Sequence, residues 1–288
     1  MQTVFYIVLC VINGIFSLTA VLGNFATLGA IWKSPSLHSQ PSNAFIFGLA
    51  MSDFGVGLIV QPAFIVCLIN EYTQESRSRG TAWTVFKSTQ AVFVAMTVLT
   101  LTLVSLDRVA ALTFHLKYNC IVTFRRACSA LCLTFITSIA YGISLPIFEF
   151  LHGVLSTTIV SSCLVINLLA YLVIFRIARR HHLAIQAQAV EVNQQSGSTF
   201  NMNRYRKSVI SMLRIFILFI LCYLPYNFVR VCLNFEVWNP PLPRDTVLLA
   251  LRFSGSLVYA NSSLNPLLYC WRIRELRLGM KGFMKSLC

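Results

Sequence analysis

Apolar residues run through this chain in seven long stretches, at coarse positions 4–32, 43–70, 82–114, 127–149, 154–178, 207–235 and 246–271. A helix needs about 20 apolar residues to cross the hydrocarbon of a bilayer, and each stretch is long enough. Within lipid, only helices and closed barrels satisfy every backbone donor and acceptor. The pattern predicts an all-α membrane protein, with seven spanning helices numbered here as spans 1 to 7. After Trp271, Ile273, Leu276, Met280, Phe283 and Met284 recur at helical spacing among Arg272, Arg274, Arg277, Lys281 and Lys285. That reads as a short amphipathic helix lying on an anionic membrane surface. The expected organisation is a seven-transmembrane helix bundle over residues 1–271, then a surface helix and tail over 272–288.

The connections look short. Residues 33–42 hold two prolines, and Glu71–Thr81 is polar and mixed in charge. The link near Glu149–Gly153 is barely a turn. The longest loop runs from about Arg179 to Arg206, and its Gln-, Asn-, Ser- and Gly-rich middle reads as flexible. Glu236–Asp245 is proline-rich and reads as rigid.

Polar residues inside the spans carry the chemistry, because lipid gives them no water. Asp53 lies mid-span 2, where a carboxylate costs about 2.5–3.5 kcal/mol on insertion scales. Its expected partners are Asn24 in span 1, Thr97 in span 3, and Asn261, Ser262 and Asn265 on one face of span 7. Such a ring can hold a proton or a small cation such as sodium; the alternative is a structural water network. Asp107 and Arg108 stand together at one end of span 3, where Asp107 can restrain the long arginine or Arg108 can simply snorkel to the interface. In span 6, Phe219 and Cys222-Tyr223-Leu224-Pro225 predict a proline kink. Span 7 ends in Asn265-Pro266-Leu267-Leu268-Tyr269, whose proline frees a backbone carbonyl that neighbouring helices or water must satisfy.

Composition sharpens this. Of 288 residues, 57% are hydrophobic and only 11% charged, against about 25% charged in soluble domains. The first apolar run, Val4 to Trp32, is too long for a signal-peptide core and reads as span 1, leaving almost no N-terminal tail. The net charge of +14 does not indicate nucleic acid, because of where it falls. Of 23 Lys and Arg, 17 lie on the side holding residues 33–42, 115–126, 179–206 and the C-terminus. The positive-inside rule makes that side cytoplasmic and places the N-terminus outside. Most of the ten cysteines sit within spans and read as buried thiols rather than a disulfide framework. Cys288 follows a basic stretch and is a candidate for palmitoylation.

Taken in order, these residues resemble the rhodopsin-like (class A) G-protein-coupled receptors. The matches are Gly23-Asn24, Leu49-Ala50-x-x-Asp53, Asp107-Arg108, Tyr171, Phe219 with Cys222 and Pro225, and Asn265-Pro266-x-x-Tyr269. The resemblance implies a plasma-membrane receptor, not an enzyme, that binds an extracellular small-molecule or lipid ligand and activates a heterotrimeric G protein. It also implies that span 6 swings outward, and that Arg108 leaves Asp107 to meet Tyr171 and Tyr269. Tyr223 stands where the family usually has Trp. The competing class is an ion-coupled transporter or channel using Asp53. That reading leaves the asymmetric basic face, the Asp-Arg pair and the terminal amphipathic helix unexplained.

The chain departs from the family pattern in several places. Trp83 replaces the usual span 3 cysteine, Val109 follows Arg108, span 4 lacks its tryptophan, and Cys163 stands near the usual span 5 proline. The short second outer loop, with no cysteine and no such proline, is similar to the melanocortin, cannabinoid and lysophospholipid receptors. Ala63 and Lys87, however, replace the carboxylates of the melanocortin cluster. The foot of span 6 reads Arg204-Tyr205-Arg206-Lys207 and offers Arg108 no acid, which predicts appreciable basal signalling.

Gln90 occupies the position of the aspartate that pairs with amines in aminergic receptors, so an amine ligand is not expected. Lys87, Arg230 and Arg252 instead predict a carboxylate or phosphate on the ligand. Asn227, Gln61 and Tyr259 would add hydrogen bonds, and Phe64, Phe93 and Phe228 an apolar wall. The alternative is that these cations snorkel to headgroups or pair with Glu149, Glu236 and Asp245.

Overall fold

The computed structural model describes residues 2–38, 40–73, 76–114, 117–191, 217–234, 243–272 and 274–286. Every element among them is helical. Span 1 is α1 (Gln2–Lys33), followed by the short α2 (Pro35–His38). Span 2 is α3 (Pro41–Gly55), a π-helical turn (Val56–Val60) and α4 (Gln61–Tyr72). Span 3 lies in α5 (Ser76–Thr113), and the one-turn α6 (Tyr118–Ile121) leads to span 4 in α7 (Phe124–Ser144). Span 5 lies in α8 (Glu149–Glu191) and span 6 in α9 (Ile217–Asn234). Span 7 is α10 (Arg244–Arg272), and α11 (Arg274–Lys285) carries the amphipathic pattern.

Three connections differ from expectation because the helices outrun the apolar stretches. The polar segment Ser76–Thr81 continues span 3 as helix. The link between spans 4 and 5 falls at residues 145–148, and Glu149–Gly153 is already helical. Span 5 continues through Arg179 to Glu191. Polar side chains do not end a helix where it leaves the membrane; they only require water around them. The foot of span 6 (residues 204–216), the segment 235–242, and Cys288 lie outside the described residues.

Among the described residues, six helices are long and apolar enough to cross a membrane by length and composition. The seventh, α10, is 29 residues long but interrupted by Ser254, Ser256, Asn261, Ser262, Ser263 and Asn265, all buried. The molecule thus keeps polar side chains inside and presents Leu18, Ile136, Ile143 and Leu221 outward. Among the described residues, the thiols of Cys10, Cys67, Cys120, Cys128, Cys132, Cys163, Cys222, Cys232 and Cys270 are free.

Span 1 is tied to span 7 by polar bonds as well as packing. Asn13 Nδ2 donates to Ser256 Oγ (2.8 Å), Asn24 Nδ2 to the Ser262 carbonyl (3.0 Å), and Ser263 Oγ to the Phe16 carbonyl (2.7 Å). Gly23 allows the approach, since a Cβ there would lie 2.9 Å from the Pro266 ring. The π-turn in span 2 lies just before Pro62, which cannot donate to the helix ladder. Ser17 of span 1 donates to the Gly57 carbonyl in that turn (2.7 Å), supplying a partner from outside the helix.

Candidate functional site

The chemistry-bearing residues fall in three zones: the end of the bundle where span 1 begins, the middle, and the end where span 7 finishes. These are called the N-terminal end, the midplane and the C-terminal end.

At the midplane, Asp53 is fully buried, and its Oδ2 accepts from Asn265 Nδ2 at 2.8 Å. The Thr97 and Ser262 hydroxyls lie beside its carboxylate, and Thr97 Oγ1 donates to Ser52 Oγ at 3.2 Å. Asn24 does not join the ring as expected. Its amide donates to the Ala20 and Ser262 carbonyls, bracing spans 1 and 7. Asn261 Nδ2, Asp53 Oδ1, Asn24 Oδ1 and Asn265 Oδ1 are buried without a hydrogen-bond partner. One carboxylate with hydroxyls and orphaned oxygens suits a monovalent cation or a proton better than a divalent ion. Among the described residues, no cluster of three or more His, Cys, Asp or Glu has the makings of a metal centre.

At the C-terminal end, Arg108 Nη2 sits 3.3 Å from Asp107 Oδ2. Two further donors, absent from the sequence reading, hold the same carboxylate. The Tyr118 hydroxyl donates to Oδ1 at 2.7 Å, and Ser42 Oγ to Oδ2 at 3.2 Å. Tyr118 comes from α6 and Ser42 from the start of span 2, so Asp107 joins three elements. Burial pushes the Tyr118 hydroxyl above its ordinary value, so it stays a donor at neutral pH. Arg108 Nε has no partner. One turn before this pair, Ser105 Oγ donates to Asn167 Oδ1 of span 5 at 2.5 Å, and Asn167 Nδ2 donates to Thr102 Oγ1 at 2.9 Å. Asn167, also missed, was legible by the rule that exposed Asp53, because it is an amide in an apolar span.

Tyr171 is buried on span 5. Phe219 and Tyr223 are buried on span 6, their rings 4.6 Å apart one turn before Pro225. Pro266 lies inside span 7, and the side chain of Tyr269 is outside the described set.

At the N-terminal end, spans 3 to 7 with Phe64 of span 2 enclose a cavity of about 1090 Å³. Lys87, Gln90, Asn227, Arg230, Arg252 and Tyr259 all line it, and among the described residues no carboxylate does. Arg252 is held on two sides. Its Nε donates to Glu71 Oε2 at 3.1 Å, and its guanidinium lies 3.9 Å from the centre of the Trp83 ring, a contact worth about 0.5–2 kcal/mol. For Arg252 the acid is thus Glu71 of span 2; of the three expected, Glu236 and the Glu149 side chain lie outside the described residues. Arg230 lies over Tyr226 at 6.0 Å, and its Nε is buried without a partner. Asn227 Nδ2 donates to Ser161 Oγ at 2.9 Å, bracing spans 5 and 6. Of the expected apolar wall, Phe64 is present, packed against Phe86 and Tyr259 at 5.3 Å each. Phe228 is exposed on the outer face, one residue and so about 100° around the helix from Asn227. Phe93 leans instead on Gly55 of span 2, where the missing Cβ leaves it room. Gln61 is fully buried, with neither side-chain polar atom partnered, and does not line the cavity.

A seven-helix membrane bundle with a walled cavity at one end, a polar midplane and a hydrogen-bonded Asp-Arg pair at the other has the layout of a membrane receptor. The family described as 7 transmembrane receptor (rhodopsin family) matches residues 23–269, and this chain belongs to it. It is a multi-pass membrane receptor and not an enzyme. It is similar to the adenosine receptor A2b of Mus musculus, 26% identical over 90% of this chain and 84% of that protein. It is also 26% identical to a QRFP-like peptide receptor of Branchiostoma floridae (88% and 71% covered) and to neuromedin-U receptor 2 of Rattus norvegicus (94% and 73%). These three include no melanocortin, cannabinoid or lysophospholipid receptor, so that narrower likeness remains an expectation from the sequence.

Proposed function

We propose that this receptor stands in the plasma membrane with its N-terminal end outside, binds an anionic small molecule or lipid in that cavity, and activates a heterotrimeric G protein. The observation that carries the ligand class is the lining: among the described residues, three cationic side chains and no carboxylate, with a buried guanidinium nitrogen of Arg230 without a partner. A buried charge is costly unless it is paired. The names of the relatives divide between adenosine and peptides, so the chemistry of the cavity decides. Its volume exceeds the upper end of ordinary ligand pockets, about 1,000 Å³, and leaves room for an acyl or aryl body along Phe64, Val94 and Leu251.

Ligand binding would favour the state in which span 6, hinged at Pro225, moves away from span 3. Arg108 then leaves Asp107 for Tyr171 and Tyr269, and the G protein enters at the C-terminal end. The shift cannot exceed the ligand's differential affinity for the two states. A sodium ion or proton at Asp53, with Thr97, Ser262 and Asn265 around it, would stabilise the inactive arrangement by supplying positive charge to the carboxylate. Asn261 and Asn24 stand at the edge of that site. The α11 helix would rest on the inner leaflet, with Cys288 available for acylation.

The test is a cyclic AMP screen of fatty acids, lysophosphatidic acid and aryl carboxylates on cells expressing the native chain and Arg230→Ala. An anionic agonist that loses about tenfold or more in potency on the variant supports the reading. Unchanged potency on Arg230→Ala counts against it.

A further inference from the structure

The cavity has a second polar wall, formed by spans 4 and 5. Ser138 and Tyr141 of span 4 lie one turn apart on one helix face, and both line the cavity, as does His152 at the start of span 5. The His152 ring stacks on Tyr141 with centroids 4.3 Å apart. His152 is 5% exposed and Ser138 1%.

The hydrogen bonds around His152 fix what it offers. Ser144 Oγ donates its single proton to the Tyr141 carbonyl at 2.9 Å. The same oxygen lies 2.8 Å from His152 Nε2. Giving that proton to the carbonyl leaves the hydroxyl only accepting from the ring, an assignment that puts the hydrogen of the neutral imidazole on Nε2. Nδ1 is then a lone-pair acceptor, and it is buried with no partner. Ser138 Oγ is also buried without a partner. Two unpartnered polar atoms, shut from water just behind one wall of a cavity, are expensive to bury unless a group in the cavity reaches them.

We infer that His152 and Ser138 form a second ligand subsite, which takes a neutral hydrogen-bond donor: an amide N–H, a hydroxyl or a ring N–H. The ligand is then two-ended, with a donor between spans 4 and 5 and an anion toward Arg230 and Lys87. A simple fatty acid satisfies only one end; an N-acyl amino acid or an amide-bearing acid satisfies both. This rests on the cavity being the ligand site, as proposed above.

The experiment uses two matched probe pairs on the full chain in lipid nanodiscs, with Kd read by thermal-shift titration. One pair is 4-benzamidobutanoate and its ester isostere 4-(benzoyloxy)butanoate; the other is the uncharged N-butylbenzamide and butyl benzoate. Each amide is expected to bind about five- to tenfold tighter than its ester. His152→Phe keeps the stack on Tyr141 but removes the acceptor, and should bring that ratio to about one. The preference for acids over uncharged probes should remain. Arg230→Gln should do the reverse. An amide preference that survives His152→Phe overturns the subsite, as does its absence from both pairs in the native chain. Acids binding no better than uncharged probes would remove the anionic reading alone, and the uncharged pair would still decide the subsite. Binding of none of the four overturns both.

Discussion

Each end of the bundle sets an arginine against a carboxylate, and the two arginines are held differently. Arg252 is clamped: Glu71 lies 3.1 Å from its Nε on one side, and the Trp83 ring lies 3.9 Å from its guanidinium on the other. Arg108 touches its acid through Nη2 alone, at 3.3 Å, and its Nε has no partner. Asp107 keeps two hydroxyl donors, Tyr118 and Ser42, when Arg108 is taken away. Losing Arg108 therefore does not strand a bare buried charge, and the cost of parting that pair is lowered. The difference is between an arginine held on two sides and one held by a single contact, as the proposed change of partner by Arg108 requires.

The strongest way to disturb this contrast is at the brace beside Arg108. Asn167→Leu removes both ends of the span 3–span 5 bridge and leaves the Ser105 and Thr102 hydroxyls only the Leu101 and Val98 carbonyls of their own helix. A loss of about 1–2 kcal/mol is expected, with a lower thermal midpoint and raised ligand-free nucleotide exchange. An unchanged midpoint would mean that the brace contributes nothing. Arg252→Ala comes next. Both partners keep some solvent contact, so screening limits the loss to about 1 kcal/mol. Affinity for an anionic probe should fall with it. If that affinity is retained, Arg252 serves packing alone.

Tyr118→Phe sharpens the comparison from the other side. Without its hydroxyl, Asp107 relies more on Arg108, and ligand-free exchange should drop about two- to threefold. Exchange that rises instead would show that Tyr118 holds the inactive state. The smallest effect is on pH. Burial raises the Tyr118 hydroxyl above 10.0, so its contribution is complete below that value and is lost as pH rises through the higher folded one. Alkaline melting curves of the native chain and Tyr118→Phe should therefore converge above pH 10.

What was legible in the sequence follows one rule: a polar group in lipid must find company. Asp53, Asn265, Lys87, Arg230 and Arg252 stood out against apolar neighbours, and the spans, the midplane network and the cavity cations could be located from them. Partners in already polar surroundings did not stand out. Tyr118 and Ser42 lie in or beside a loop, and Glu71 ends a span, so nothing in their local pattern marks them. His152 was hidden because Glu149–Gly153 read as a turn, whereas the helix begins before it and turns the ring onto Tyr141. Facing was the other gap. Phe93 lies three residues from Gln90 and shares its face by spacing, yet the absent side chain of Gly55 draws it aside. Phe228 adjoins Asn227 in sequence and points the other way in space.

The central claim is that Arg108 is the group that changes partners when the receptor engages a G protein. Guanine-nucleotide exchange on purified heterotrimers tests it most directly, with native chain and Arg108→Ala in nanodiscs at equal receptor amounts and no ligand. The predicted result is exchange above the receptor-free baseline for the native chain, reduced to that baseline in the variant. Exchange that the variant supports as well as the native chain, or a native chain that never exceeds the baseline, would contradict the account.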